Sequence, residues 1–212
     1  MSAYFKHIKG LLWKFSVNLQ FFSRKKKISF SSRLQIGKNA SLFVGNGAKI
    51  GDYGLIRMGK YSRLEIGRNT LICRFAEISV NDNAVLKIGD DVYIGERANI
   101  RARESIEIGS HTQIAQGVSL IGGQYLYKNA DIPIKKQGFM SSPIHIGSDA
   151  WLGVNVVVLP GRKIGKGAVV GAGSVVSRNI PDYAIAVGSP AKVSGYRQGG
   201  SHDSTANADS PF

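Results

Sequence analysis

The chain has 212 residues, of which 43% are hydrophobic and 26 are glycine, and its net charge is +14. That length suits one well-cored domain with little left for a second, and the glycine excess points to frequent tight turns or a repeat. The single cysteine, Cys73, excludes an internal disulfide framework and fits a reducing cytoplasm. No apolar run reaches the roughly 18 residues of a membrane-spanning helix.

The charge is concentrated at the N-terminus. Residues 1–51 hold ten Lys or Arg and no acid before Asp52, whereas the remaining 18 basic and 14 acidic residues leave only +4. Within 3–22, Tyr4, Ile8, Leu11, Leu12, Phe15, Leu19 and Phe22 fall on one helical face, and Arg24-Lys25-Lys26-Lys27 follows. The pattern predicts a short basic amphipathic helix in a segment covering 1–33. With no small-residue cleavage site, it does not read as a signal peptide. Residues 1–27 suit docking on an anionic membrane surface, and a helix capping the open end of a stacked fold suits the same pattern equally well. Nucleic acid ranks well behind both, because the charge comes without a recognition element.

From residue 44 onward, aliphatic residues recur six apart in sets of three. The sets are Val44, Ile50, Ile56; Ile66, Ile72, Ile78; Ile88, Ile94, Ile100; Ile108, Ile114, Leu120; Ile146, Leu152, Val158; and Ile164, Val170, Val176. A helix repeats near 3.6 and a half-buried strand at 2, so a period of six with glycine beside it fits neither. It fits a coil with three short sides, each offering one inward aliphatic residue, stacked roughly 4.8 Å apart like neighbouring strands. The expectation is an all-β solenoid over 34–194, its Ile-Gly pairs serving as core and corner. Between Leu120 and Ile146 about 20 residues exceed the period, which predicts a loop over 121–144 extruded from the coil.

The hexad rule, together with IGSDAWLGVNVVVLPGRKIGKGAVVGAGSVVSRNIPDYAIAVGSPAKV at 146–193, resembles the hexapeptide-repeat acyltransferases. The resemblance runs from about 36 to 193 and is greatest to the sugar O-acetyltransferase branch, which includes galactoside and maltose acetyltransferases and polysaccharide-modifying enzymes. It implies a left-handed parallel β-helix, a homotrimer, and acetyl-CoA bound in the groove between neighbouring subunits. DIPIKKQG, Asp131 to Gly138, is similar to the active-site loop of the polysaccharide-modifying branch.

In that family a histidine takes the proton from a sugar hydroxyl, a task suited to a group titrating near neutrality. Alignment of the inward column puts this position on Tyr125. A phenol, ordinarily with a pKa of about 10, is a poor general base, and the neighbouring Gln124 cannot be one. His111, beside a corner one turn before the loop, is the remaining catalytic candidate, while His145 should face outward. The family's acceptor-binding asparagine falls on Gly95. Arg101 and Arg103, with Asp131, are candidate acceptor contacts, and the two arginines suggest an anionic acceptor. By the same resemblance Val154 and Ala172 line the pantetheine groove, Ser177 and Arg178 lie near the nucleotide, and Lys192 meets CoA phosphates. A second basic position falls on Gly195. No close histidine pair suggests a metal site.

From Gly195 to Phe212 the hexad rule lapses, which predicts a disordered tail over 195–212. The expected activity is O-acetyl transfer from acetyl-CoA to a sugar of a surface or extracellular polysaccharide, met as a glycan or lipid-linked glycan, in the cytoplasm or peripherally on the inner face of the cell membrane. The alternative is a catalytically impaired homologue serving as a scaffold.

Overall fold

The six-residue period forms strands because it alternates an inward aliphatic residue with outward polar ones, and the backbone groups left over pair with the next coil. The computed structural model describes residues 18–21, 27–28 and 32–199. These fold into seven stacked coils, each contributing one strand to each of three parallel sheets. The first face orders strands 18–21, 41–44, 63–66, 85–88, 105–108, 144–146 and 163–164. The second begins at 27–28 and runs through 49–50, 71–72, 93–94, 113–114, 151–152 and 169–170 to 184–187. The third runs 33–36, 55–58, 77–80, 99–102, 119–121, 157–158 and 175–176.

All eighteen residues of the predicted inward sets are buried, none more than 3% exposed. At about 1.5–3 kcal/mol per buried large aliphatic side chain, this column is the main source of stability. A second inward column, which the six-fold reading did not single out, stands two residues before it. It is made of small side chains, including Ala48, Thr70, Val92 and Thr112 on the second face and Ala76, Ala98 and Val118 on the third. Its hydroxyls are satisfied across coils: Thr70 donates to Gly89 O (2.8 Å) and Thr112 to Gly147 O (3.0 Å).

The coils are not equal. Ile56 and Ile66 are ten residues apart rather than six, because the strands Leu55–Met58 and Arg63–Ile66 each have four residues, adding Met58 and Leu64 to the core. The extra length always falls at the corner between the third and first faces. The loop leaves the solenoid at that same corner in the fifth coil.

Two ends differ from the sequence reading. Asn18–Phe21 is a strand paired in parallel with Ser41–Val44, Leu19 opposite Leu42 and Phe21 opposite Val44, so the predicted helix over 3–22 does not run through its last turn. Pairing with an open sheet edge outweighs helical spacing there. The rest of that helix, and most of the basic run, lie outside the described residues. At the other end Lys192–Tyr196 pairs antiparallel with Ala184–Val187. Arg197 then reaches Asp149 Oδ2 (2.8 Å) and Gly167 O (3.0 Å). Residues 195–197, placed in the disordered tail from the sequence, therefore complete the cap; the tail beyond 199 lies outside the described residues.

Candidate functional site

The corner between the second and third faces is a four-residue turn repeated in register. Its third residue takes left-handed backbone angles each time: Tyr53, Phe75, Arg97, Gly117, Asn155 and Gly173, with φ between 55° and 70°. Side chains at these positions stack from coil to coil. The rings of Tyr53 and Phe75 are parallel at 5.3 Å, and the Arg97 guanidinium lies 5.8 Å from the Phe75 centroid. At Gly117 the column has no side chain; a Cβ there would collide with the Asn155 amide. A depression of about 520 Å³ opens around this gap, lined by Tyr93, Glu96, Arg97, Gln116, Gly117, Val154 and Asn155.

The charges around it are partly matched. Glu96 accepts from Arg74 Nε (2.8 Å), whereas no carboxylate among the described residues pairs with Arg97. The Tyr93 phenol is pushed above its ordinary value, chiefly by its hydrogen bond with Cys73, so it stays neutral and is no base. Asn155 N–H donates to Gln116 O (3.0 Å) and Gly173 N–H to Val154 O (2.8 Å). The N–H groups of Val154 and Ala172 meet no acceptor among the described residues, so both remain available to a ligand lying along the corner.

The predicted loop is an ordered hairpin. Gly123–Tyr125 pairs antiparallel with Phe139–Ser141, Tyr125 standing opposite Phe139, and a 3₁₀ turn at Ile134–Lys136 follows Pro133. Gln137 ties the tip together: its amide donates to Asn129 O (2.7 Å) and Ile132 O (2.6 Å) and accepts from Asn129 N–H (3.0 Å). At the base, Tyr125 meets Phe139 edge to face at 5.2 Å, and the Arg103 guanidinium lies 4.3 Å from the Phe139 centroid. Gly122 N–H donates to Arg101 O (3.0 Å), anchoring the hairpin to the coil below.

The predicted residues thus fall into three places. Tyr125, Arg103 and Asp131 belong to the hairpin and its base, with Ser177 and Arg178 at the same corner two coils on. Arg103 packs on the hairpin, and Arg101 on the third face donates to Asn99 Oδ1 (3.0 Å). Val154, Ala172 and Lys192 follow the corner that carries the depression, Lys192 coming directly after Ala191, whose N–H bonds Val175 O. His111 stands at the remaining corner, 4.0 Å from Asp91 Oδ2, away from both groups within one chain. His145 is exposed on the first face beside Glu107 (3.4 Å). The Tyr53–Phe75–Arg97 column and the gap at Gly117 were not singled out from the sequence, although their offsets of 22, 22 and 20 residues repeat those of the aliphatic sets.

Three repeating faces with an aliphatic residue every sixth position define a hexapeptide-repeat β-helix protein. Residues 143–178 match the family model "Bacterial transferase hexapeptide (six repeats)". Over these residues the chain carries the hexapeptide-repeat transferase pattern, and its fold is the left-handed parallel β-helix. It is 38% identical over 157 residues, 74% of this chain and 50% of the relative, to a probable acetyltransferase of Mycobacterium tuberculosis. Over 116 residues, 51% of this chain and 59% of the relative, it is 39% identical to a putative lipopolysaccharide biosynthesis O-acetyl transferase of Escherichia coli. The chain therefore spans about half the length of these curated relatives. Among solved structures it resembles the polySia-specific acetyltransferase NeuO, with a TM-score of 0.61 at 22% identity, covering 92% of each chain.

Proposed function

We propose that the protein is an acetyl-CoA-dependent O-acetyltransferase acting on a sugar of a surface or extracellular polysaccharide. The observation that carries this reading is the corner on which Val154 and Ala172 align, with Lys192 just past its last turn and two open backbone N–H groups leading into the depression at Gly117. A pantetheine arm hydrogen-bonds to open backbone groups of this kind, and Lys192 suits a phosphate. The names of the curated relatives point to the same chemistry.

In the reaction, a sugar hydroxyl oxygen forms a bond to the thioester carbonyl carbon and gives its proton to a base; the C–S bond then breaks, and the base returns that proton to the sulfur so that CoA leaves as the thiol. Backbone N–H groups aimed at the carbonyl oxygen stabilise the developing negative charge. The hairpin carries Tyr125 where the family has its base. Within one copy the hairpin and the Val154 corner lie on opposite edges of the third face. The hairpin also exposes Tyr125, Leu126, Tyr127, Ile132, Ile134 and Phe139, each between 38% and 63%. An ordered apolar projection of this size is what a neighbouring copy covers, in keeping with a homotrimer whose hairpin closes over the next subunit's corner. The acceptor is a glycan or lipid-linked glycan. The protein works in the cytoplasm or on the inner face of the membrane, where residues 1–27 supply the basic contact.

A second reading is favoured by one observation, a tyrosine where the family has its histidine. In that case the chain is a hexapeptide-fold scaffold without turnover. Acetyl transfer to lipid-linked and free glycans, followed with labelled acetyl-CoA for wild type, Tyr125→Phe and Tyr125→His, separates the two. Loss of wild-type transfer in Tyr125→Phe makes the phenol catalytic, and transfer only in Tyr125→His establishes the scaffold.

A further inference from the structure

The depression at Gly117 is built around a cation whose charge nothing among the described residues matches. Arg97 is the last member of the Tyr53–Phe75–Arg97 stack, so its guanidinium is supported from one side by the Phe75 ring (5.8 Å) and faces the gap on the other. The one carboxylate in the lining, Glu96, is already engaged by Arg74 at 2.8 Å. The rest of the lining offers neutral hydrogen-bonding groups, the side-chain amides of Gln116 and Asn155 and the phenol of Tyr93. A supported guanidinium among amides and an aromatic ring suits an anionic, hydroxyl-rich ligand.

We infer that this depression seats the acceptor's acidic group, a sugar carboxylate paired with Arg97, and so selects acidic over neutral glycans; the inference rests on the acetyltransferase reading above. The competing source of negative charge is the donor's own phosphates. Lys192 opens the ninth strand of the second face and Arg97 follows the fourth, so five strand spacings, roughly 24 Å, separate them. A donor whose phosphates meet Lys192 therefore leaves Arg97 to a different anion. The acidic group is assigned to Arg97, not to the Arg101 and Arg103 pair. Arg103 packs on Phe139 at the base of the hairpin and Arg101 lies on the third face, both outside the depression that Arg97 lines.

The test titrates the full-length protein with size-matched oligosaccharides of a uronic-acid polymer and with the same oligosaccharides after carboxyl reduction, and separately with acetyl-CoA. Wild type, Arg97→Gln and Arg97→Lys are compared. The expected result is acidic ligand bound about tenfold more tightly than reduced ligand by wild type. Arg97→Gln should lose that preference, Arg97→Lys should keep part of it, and all three should bind acetyl-CoA equally. The inference is overturned if wild type shows no preference for the acidic ligand, or if Arg97→Gln keeps the preference intact. It is overturned equally if Arg97→Gln weakens acetyl-CoA instead, which assigns the anion to the donor. Acetyl-CoA binding in the same sample leaves the enzymatic reading standing in each of those cases, whereas its absence from wild type sinks that reading itself.

Discussion

Two corners of the same solenoid follow opposite rules. The corner between the second and third faces is a four-residue turn in every coil from 51–54 to 171–174; its left-handed positions stay in register over the whole length, with side chains stacked from Tyr53 to Arg97. The corner between the third and first faces absorbs every irregularity: longer strands around residues 58 and 64, the hairpin at 122–143, and a plain short turn after Val158. The regular corner holds groups in a fixed line, which suits an extended ligand. The irregular one extends the chain outward without disturbing the core, which suits a covering element. The proposed function rests on a second copy placing the two next to each other.

If that contrast is right, the regular corner should tolerate almost nothing. A Cβ at Gly153 would lie 2.7 Å from Ala172 N and 3.0 Å from Val170 O, both backbone atoms of the next coil. Gly153→Val should therefore cost about 1–3 kcal/mol by overpacking and lower the midpoint of thermal or denaturant unfolding clearly. A return to wild-type stability would show that the coils are not closely stacked there. The irregular corner should behave differently. Replacing 126–137 by a short turn removes only exposed or surface segments, so stability should change by less than about 1 kcal/mol while acetyl transfer is lost. A large drop in stability would make the hairpin part of the core.

A finer test concerns what holds the hairpin. Arg103→Ala removes the guanidinium from the Phe139 ring, an interaction of about 0.5–1 kcal/mol at an exposed site. Proteolysis within 126–137 should speed up several-fold with global stability nearly unchanged, and Arg103→Lys should restore part of the protection. The smallest expected effect lies at the third corner, between the first and second faces. Arg68 meets Asp90 Oδ2 at 2.7 Å, and this hydrogen bond holds the Asp90 carboxyl below its ordinary value of 3.8. A depressed carboxylate adds stability that is present above 3.8 and is lost as pH falls through the folded value. Asp90→Asn should thus lose less stability than wild type when neutral solutions are acidified below about pH 4, a slight difference because the pair is exposed. An equal pH dependence in both proteins would show the pair to be idle.

The solenoid was legible because its core is a column: each of the eighteen hexad residues lands inside, and local spacing alone reveals them. The hairpin's position was legible for the complementary reason, since the period breaks at Leu120 and resumes at Ile146. What the spacing did not reveal depends on contacts between coils. Asn18–Phe21 pairs with an edge 23 residues away, and the alternation in NLQF is too short to distinguish a strand from a helical turn. The depression exists because Gly117 interrupts a stack whose members lie 20 to 38 residues apart, and that reading requires the coil offsets already in hand. The packing of Arg103 on Phe139 is of the same kind, since the ring is 36 residues on and reaches it only because the hairpin folds back.

The central claim is that the regular corner holds acetyl-CoA, and calorimetric titration of acetyl-CoA into the full chain tests it most directly when wild type is set beside Ala172→Arg and Lys192→Ala. Wild type should bind saturably, Lys192→Ala should bind about three- to tenfold more weakly, and Ala172→Arg, whose side chain would occupy the line of the pantetheine arm, should not bind. No binding by wild type at millimolar ligand, or undiminished binding by Ala172→Arg, would contradict the account.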